Sequence, residues 1–211
     1  MTTFQRARSE ETREIRRQAI LDTAARMLAE MPAGEITLNE LSRRSHLAKS
    51  AILKYFESRE AILLELLDRA WKQWTADLAA QPTDRRLADA LTESLERHPQ
   101  FCELLSAQAG VLEHNVSAEV AGRYKLAAYA NVAALADVIR THLPELGDLA
   151  AQLAPQIVLV IGAVWTHSRP SPGMLAAYEA DPHLATMRLD FAPSLRAVVD
   201  TLIAGTLTRA S

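Results

Sequence analysis

The chain has 211 residues, of which 49% are apolar, a single cysteine and a net charge of −3. That length carries one large domain or a small one fused to a larger, and the apolar share is enough for a core without covalent staples. The lone Cys102 excludes a disulfide framework and a cysteine cage for a metal, and the acidic balance excludes a protein that coats nucleic acid indiscriminately.

Strand signals are nearly absent. No stretch alternates apolar and polar residues over six positions with β-branched enrichment, and apolar residues recur at spacings of three and four, so an all-α chain is expected. The opening MTTFQRARSEETREIRR has no apolar centre and does not read as a secretory leader. A first helix is expected over about 11–30, with the apolar stripe Ile15, Ala19, Ile20, Thr23, Met27 and Leu28, ended by the MPAGE breaker. Thr37 caps a short second helix, with Glu40 three positions on in capping-box spacing. That helix ends near Ser45, His46 takes the corner, and a third helix covers about 48–56.

Ser58 caps a long fourth helix with Leu63, Leu67, Ala70, Trp74 and Leu78 on one stripe. QPTDRR breaks the chain near Pro82, and helices follow over about 84–97, 99–114 and 117–143, Pro99 suiting a first helical position. After LPELGD comes a helix over about 146–168, holding the longest apolar run, Ile157 to Trp165, about half of what a membrane span needs. RPSPG ends it. An irregular stretch with a helical turn at about 174–179 leads to a last helix over about 192–208, carrying Leu195, Val198, Val199, Leu202 and Leu207. A cytoplasmic protein without a membrane partner is expected.

Charge divides the chain. Residues 1–60 hold 11 Lys and Arg against 9 Asp and Glu, a balance of +2, which leaves 12 against 17, or −5, for residues 61–211. The sign suits a polyanion-binding head on an acidic body. Within the head, LSRRSHLAKSAILKYFESRE reads as two short helices joined by a tight corner, a helix-turn-helix whose small core is Leu41, Leu47, Ile52 and Phe56. His46 stands where a left-handed backbone is needed, and histidine is among the non-glycine residues that tolerate it. Lys49, Ser50, Leu53 and Lys54 face away from that core. Lysine donates to guanine acceptors or phosphate, and Leu53 or Ala51 suits a thymine methyl. Thr37 and Ser50 sit near helix N-termini, which attract phosphate. Arg6 and Arg8 read as a solvated tail or as an arm reaching a minor groove.

The stretches ILDTAARMLAE and ITLNELSRRSHLAKSAILKYFESREAIL, within residues 16–67, resemble the DNA-binding head of the TetR family of bacterial regulators. Tyr55-Phe56 matches that family's aromatic pair and Ser58 to Ile62 its closing motif. Three positions depart from the pattern: His46 stands in place of glycine, Leu53 in place of a phosphate-touching tyrosine, and Ala51 in place of threonine. The resemblance implies DNA contacts from Thr37, Arg44, Lys49, Ser50, Lys54, Tyr55 and Arg59, with Ala51 on the same helix face. It also implies a DNA-binding domain over 1–60 and a helical ligand-binding and dimerisation domain over 61–211, whose last two long helices pair with a second copy. Two recognition helices roughly 34 Å apart would then read a near-palindromic operator.

The body's own residues agree with that architecture. Ile157 to Trp165 is apolar on all sides, as in a helix that is buried or covered by a partner. Gly162 permits close helix approach, and the last helix has a clean stripe. Ile157, Ile161, Leu195, Val199 and Leu202 are the expected dimer seam. Trp71, Trp74, Phe101, Leu105, Tyr124, Tyr129 and Trp165 are the bulky residues around the expected effector pocket, though simple core packing is the favoured reading of each aromatic. Asn131 or His114 could orient a ligand, and Asn131 could equally bond within the core or across the seam.

Catalysis is not expected. No G-x-S-x-G, phosphate-binding glycine loop or H-E-x-x-H occurs. His98 and Cys102, four apart, make only half a metal site, so no metal or cofactor is expected. The reading is a ligand-responsive repressor that binds operator DNA as a homodimer and is released by a small, largely apolar effector, with the long fourth helix carrying the change. The alternative is a helical ligand-binding or adaptor protein without sequence-specific DNA binding.

Overall fold

The computed structural model describes the backbone of residues 3–210 and the side chains of residues 10–209. The side chains of Arg6 and Arg8, the expected arm, lie outside the described residues. Among the described residues every regular element is helical. Two compact units form: the chain up to Leu66 with Ala107–Gly122, and Leu67–Ser106 with Arg123–Ser211.

The first unit starts with α1, Thr3–Leu28, which begins eight positions before the expected start. Its buried residues are Ile20, Leu21, Thr23, Ala24, Met27 and Leu28. Ile15, expected on that stripe, is 63% exposed, and Ala19 is exposed as well. At Ile15 and Ala19 the apolar periodicity of α1 therefore points outward. Pro32 ends the link, and a 3-10 turn at Ala33–Glu35 leads to α2, Leu38–Ser45. Thr37 caps α2 in extended conformation, its hydroxyl oxygen accepting from the Glu40 amide at 3.1 Å. His46 ends α2 with φ 55 and ψ 27, in the left-handed region.

The third helix is shorter than expected. α3 is a single turn, Lys49–Ile52, followed by hydrogen-bonded turns through Phe56. Ser58 then caps α4, Arg59–Ala79, by accepting from the Ala61 amide at 3.1 Å. Ile52, Phe56 and Leu41 are buried as expected, with Leu47 half-buried. The Arg17 guanidinium lies 4.8 Å from the Phe56 ring centre and pairs with Glu65, closing the unit over its small core. Residues 107–122 contribute a π-helical turn at Gln108–Leu112 and the start of α7, Ala118–His142. The Ser117 amide at the α7 start donates to the Glu57 carboxylate at 2.7 Å, where a negative charge is favoured by the helix dipole.

The second unit is built on α5, Leu87–Glu96, and α6, Pro99–Ala107, with the long part of α4, α7, α8, Ala150–His167, and α11, Phe191–Ala210. α11 packs on α8, on α5 and on the 3-10 turn Pro144–Leu149. Arg86–Asp200 and Arg196–Asp89 ion pairs flank the α11–α5 contact, but exposed pairs of this kind add little. Buried leucines carry it, at about 1.5–3 kcal/mol for each fully buried side chain. Gly162 brings α8 against α6, where a Cβ would meet the Ser106 Cα at 3.6 Å. Gly147 takes φ 49 inside the turn before α8, a conformation that favours glycine.

By length and composition Pro144–His167 is apolar enough to cross a membrane, with a mean hydropathy of 1.6. That is a longer apolar stretch than the run read from the sequence. One face of it, through Leu153, Ile157, Ile161 and Trp165, is buried within this unit. Between α8 and α11 lie two short helices, α9, Pro172–Ala180, and α10, Pro182–Ala185, neither with a buried residue. Only the first was expected. Each starts with proline behind a capping side chain, Ser171 and Asp181.

Candidate nucleic-acid interface

The corner in the first unit is fixed by local chemistry. The Ser42 hydroxyl donates to the Leu47 carbonyl at 2.6 Å, spanning the left-handed His46. α3 leaves the corner with Ile52 buried, so Lys49, Ser50 and Lys54 remain exposed and Ala51 and Tyr55 are half-buried. Leu53 ends α3 and is 46% exposed, an apolar side chain between two lysines. This surface offers two ammonium groups, a hydroxyl and a patch of methyl groups. Those are the donors for phosphate and guanine and the contact for a thymine methyl.

Thr37 is exposed at the start of α2. Its oxygen accepts the capping bond, which leaves its own O–H to donate outward. A phosphate placed there would also meet the positive end of α2.

Two expected contact residues are occupied within the unit. Arg59 donates to the backbone carbonyls of Ile36 at 2.6 Å and Gly34 at 3.1 Å, and pairs with Glu60 at 2.7 Å. Its guanidinium braces the link before α2. Arg44 pairs with Glu40 at 2.7 Å and with Glu30. Both bonds must loosen before it can turn to a phosphate. Glu40 serves Arg43 as well as Arg44, and the hydrogen bonds from those two guanidiniums, Arg43 foremost, hold its carboxyl down at about 2.

In the second unit, Trp71, Trp74, Phe101, Leu105, Tyr124, Asn131 and Trp165 are all buried. Phe101 stacks on Trp74 at 4.8 Å and tilts against Trp71 at 5.6 Å. Trp74 donates to Ser94 at 2.9 Å and Trp165 to Glu103 at 3.0 Å. Asn131 donates to Asp68 at 2.9 Å, a bond inside the unit, and Asp68 also holds Lys72 at 2.7 Å. Tyr129 and His114, by contrast, are exposed and line no interior site. Burial pushes the Cys102 thiol up to about 12, and His98 pairs with Asp77 at 2.8 Å.

One feature of α4 escaped the sequence reading. Asp68, Trp71 and Thr75 fall at i, i+3 and i+7, so one helix face carries the half-buried Asp68 and two buried polar groups. The signal was present as a polar interruption of an otherwise apolar stripe. The Trp71 Nε1 and Thr75 Oγ1 atoms are buried without a hydrogen-bond partner among the described residues. Each such group costs roughly 1–3 kcal/mol.

The expected seam residues are also placed differently. Ile157, Ile161, Leu195 and Val199 are fully buried within the single chain, and Leu202 is half-buried, so the first four have no surface to give a second copy. The outward faces carry Leu159, 73% exposed, with Ala163 on α8, and Val198, Thr201 and Gly205 on α11. A helix that is apolar all round offers no phase from which to choose its inner face.

Comparison with known proteins bears on both units. The family model described as Bacterial regulatory proteins, tetR family, matches residues 20–66, and that described as Tetracyclin repressor-like, C-terminal domain, matches residues 63–210. The HTH-type transcriptional regulator EthR of Mycobacterium tuberculosis (strain CDC 1551 / Oshkosh) is 37% identical over 82 residues, 39% of this chain. EthR of Mycobacterium bovis (strain ATCC BAA-935 / AF2122/97) matches to the same extent. The aligned region spans 37% of the length of these relatives. Among solved structures, a transcriptional regulator (TerR/AcrR family) from Aquifex aeolicus VF5 aligns over 87% of this chain and 95% of its own, at 16% identity and a TM-score of 0.45.

Proposed function

The chain belongs to the TetR family, and from that premise we propose that it is a ligand-responsive, DNA-binding transcriptional regulator acting as a repressor. Residues 1–60 serve the DNA, and residues 61–211 serve the effector and the dimer. It works in the cytoplasm, without a membrane partner, and catalyses no reaction. The observation that carries the reading is the exposure of Lys49, Ser50 and Lys54 on the side of α3 opposite the buried Ile52 and Phe56. With Thr37, Ala51, Tyr55 and the exposed Leu53 they form the DNA-facing set. Arg44 joins by exchanging its carboxylates for a phosphate.

TetR-family regulators bind DNA as dimers. In this chain the second copy covers the outward faces of α8 and α11, where Leu159 and Val198 stand among small residues. A two-fold pair of α3 elements then reads a near-palindromic operator. A small, largely apolar effector held in the second unit shifts operator occupancy through its differential affinity for two conformations.

The test is a titration of DNA from upstream of the protein's own gene against the full chain at several salt concentrations. Specific binding should fall steeply with salt as phosphate contacts release counterions. Lys49→Ala combined with Lys54→Ala should abolish it and leave the dimer intact. Unchanged binding by the double variant would remove α3 from the interface.

A further inference from the structure

We propose that the Trp71 indole N–H and the Thr75 hydroxyl are the polar anchor of the effector site, and that the effector is an apolar molecule bearing a neutral hydrogen-bond acceptor such as a ketone, ester or amide carbonyl. This rests on the effector-responsive reading above and specifies the effector's chemistry.

The two groups lie one turn apart on α4, on residues only 2% and 7% exposed, with polar atoms that meet neither solvent nor a partner among the described residues. A donor kept in that condition weakens the fold and asks for a role. Indole N–H can only donate, so whatever meets it must accept. Thr75 can donate to the same acceptor or to the next atom along. Three other buried donors of the unit are engaged, Trp74 on Ser94, Asn131 on Asp68 and Trp165 on Glu103. Trp71 and Thr75 are two neighbouring donors on one face of α4 that have no such partner among the described residues.

Charge selects among acceptors. The Asp68 carboxylate sits on the same face, one turn before Trp71, and its cation, Lys72, is already paired at 2.7 Å. An anionic ligand would bring a second negative charge beside Asp68, whose cation Lys72 is already engaged. A ligand with donors alone would leave the indole N–H unpaired. A neutral carbonyl satisfies both conditions, and its apolar part would meet the packed rings of Trp71 and Phe101.

The experiment uses the full-length protein and matched probes of two shapes: 4-phenyl-2-butanone against butylbenzene, and 2-nonanone against nonane, with 3-phenylpropanoate as the anion. Affinities come from tryptophan fluorescence. The indole N–H resonances come from 15N-labelled protein, with Trp71→Phe assigning the Trp71 signal. At least one ketone should bind about tenfold more tightly than its hydrocarbon, the factor supplied by a net hydrogen bond of about 1.4 kcal/mol. It should move the Trp71 N–H signal downfield, and 3-phenylpropanoate should bind no better than butylbenzene. In Thr75→Val and Trp71→Phe the ketone's advantage should shrink toward unity while hydrocarbon binding persists. Equal binding of ketone and hydrocarbon, a stronger anion, or no binding by either ketone overturns the proposal. The resonance shift decides the matter in the wild-type chain even if a variant fails to fold. Operator binding by the same preparation separates the two readings: where DNA binds and the ketone has no advantage, the regulator stands and the anchor falls.

Discussion

Ser42 and Leu47 are joined across the corner of the first unit, the Ser42 hydroxyl donating to the Leu47 carbonyl at 2.6 Å. The bond spans a residue, His46, held at φ 55. Local backbone chemistry and one side-chain bond thus set the direction in which α3 leaves α2, and with it the exposure of the lysines.

The two components of this corner have opposite signs. Ser42→Ala should cost about 1 kcal/mol of unfolding free energy, the usual net worth of such a bond. His46→Gly should stabilise by about 0.5–1 kcal/mol, because glycine takes the left-handed conformation without the Cβ penalty, less its greater freedom when unfolded. Urea denaturation of the two variants checks both. A destabilised His46→Gly would mean that the imidazole makes a contact worth more than the backbone strain.

Arg59 and Lys54 separate structure from recognition. Lys54→Ala should leave the melting temperature unchanged and lower the slope of log affinity against log salt by about 0.9, the loss of one phosphate contact. Arg59→Ala should lower stability by about 1–3 kcal/mol, because the Gly34 and Ile36 carbonyls lose their donor and Glu60, itself buried, loses its cation. Its salt slope, measured where the variant is folded, should match the wild type. A reduced slope would return Arg59 to the DNA-facing set.

The contrast between these two residues marks how far the sequence could be read. Thr37, His46 and Ser58 were legible because capping and left-handed turns depend on a few neighbouring residues. Lys49 and Lys54 were legible because Ile52 and Phe56 fix the phase of a short helix. The brace made by Arg59 was not, since its partners at Gly34 and Ile36 lie more than twenty residues back and no periodicity links them. Ile15 failed for a related reason: an apolar stripe shows which residues share a face but not where its partner helix stops covering it. In the second unit most of the bulky residues named from the sequence are buried, Tyr129 excepted, and the residues named for a seam, Ile157, Ile161, Leu195 and Val199, fall on the inward faces of α8 and α11. Asn131 was recognised as an interior polar group, but its partner Asp68 sits on a helix 63 residues away.

Acid should loosen the first unit through Glu40. Its carboxyl is held at about 2, below the ordinary 4.5, by hydrogen bonds from Arg43 and Arg44. A depressed carboxylate contributes stability that is complete above the unfolded value and lost as the pH falls through the folded one. The loss from this group therefore lies between about pH 4.5 and 2. Thermal unfolding followed at pH 5.5 and pH 3 should show a smaller drop for Glu40→Gln than for the wild type, with the variant already less stable at pH 5.5. Equal drops would assign the acid sensitivity to other carboxylates.

The position of the dimer seam can be tested by two neighbours on α8. Leu159 presents most of its side chain to solvent, whereas Ile157 is fully buried in its own chain. If a second copy covers the outward face, Leu159→Glu places a charge in an apolar contact without disturbing the core. Sedimentation should then show a monomer with unchanged helical circular dichroism, and affinity for a two-half-site duplex should fall while affinity for one half-site stays. Ile157→Ala removes three methyl-sized groups from a closed core and should cost about 2–5 kcal/mol of stability, with the dimer retained wherever the chain is folded. A Leu159→Glu chain that still sediments as a dimer would place the seam elsewhere on the second unit. The half-site comparison matters because loss of folding would weaken both duplexes together, whereas loss of pairing weakens only the longer one.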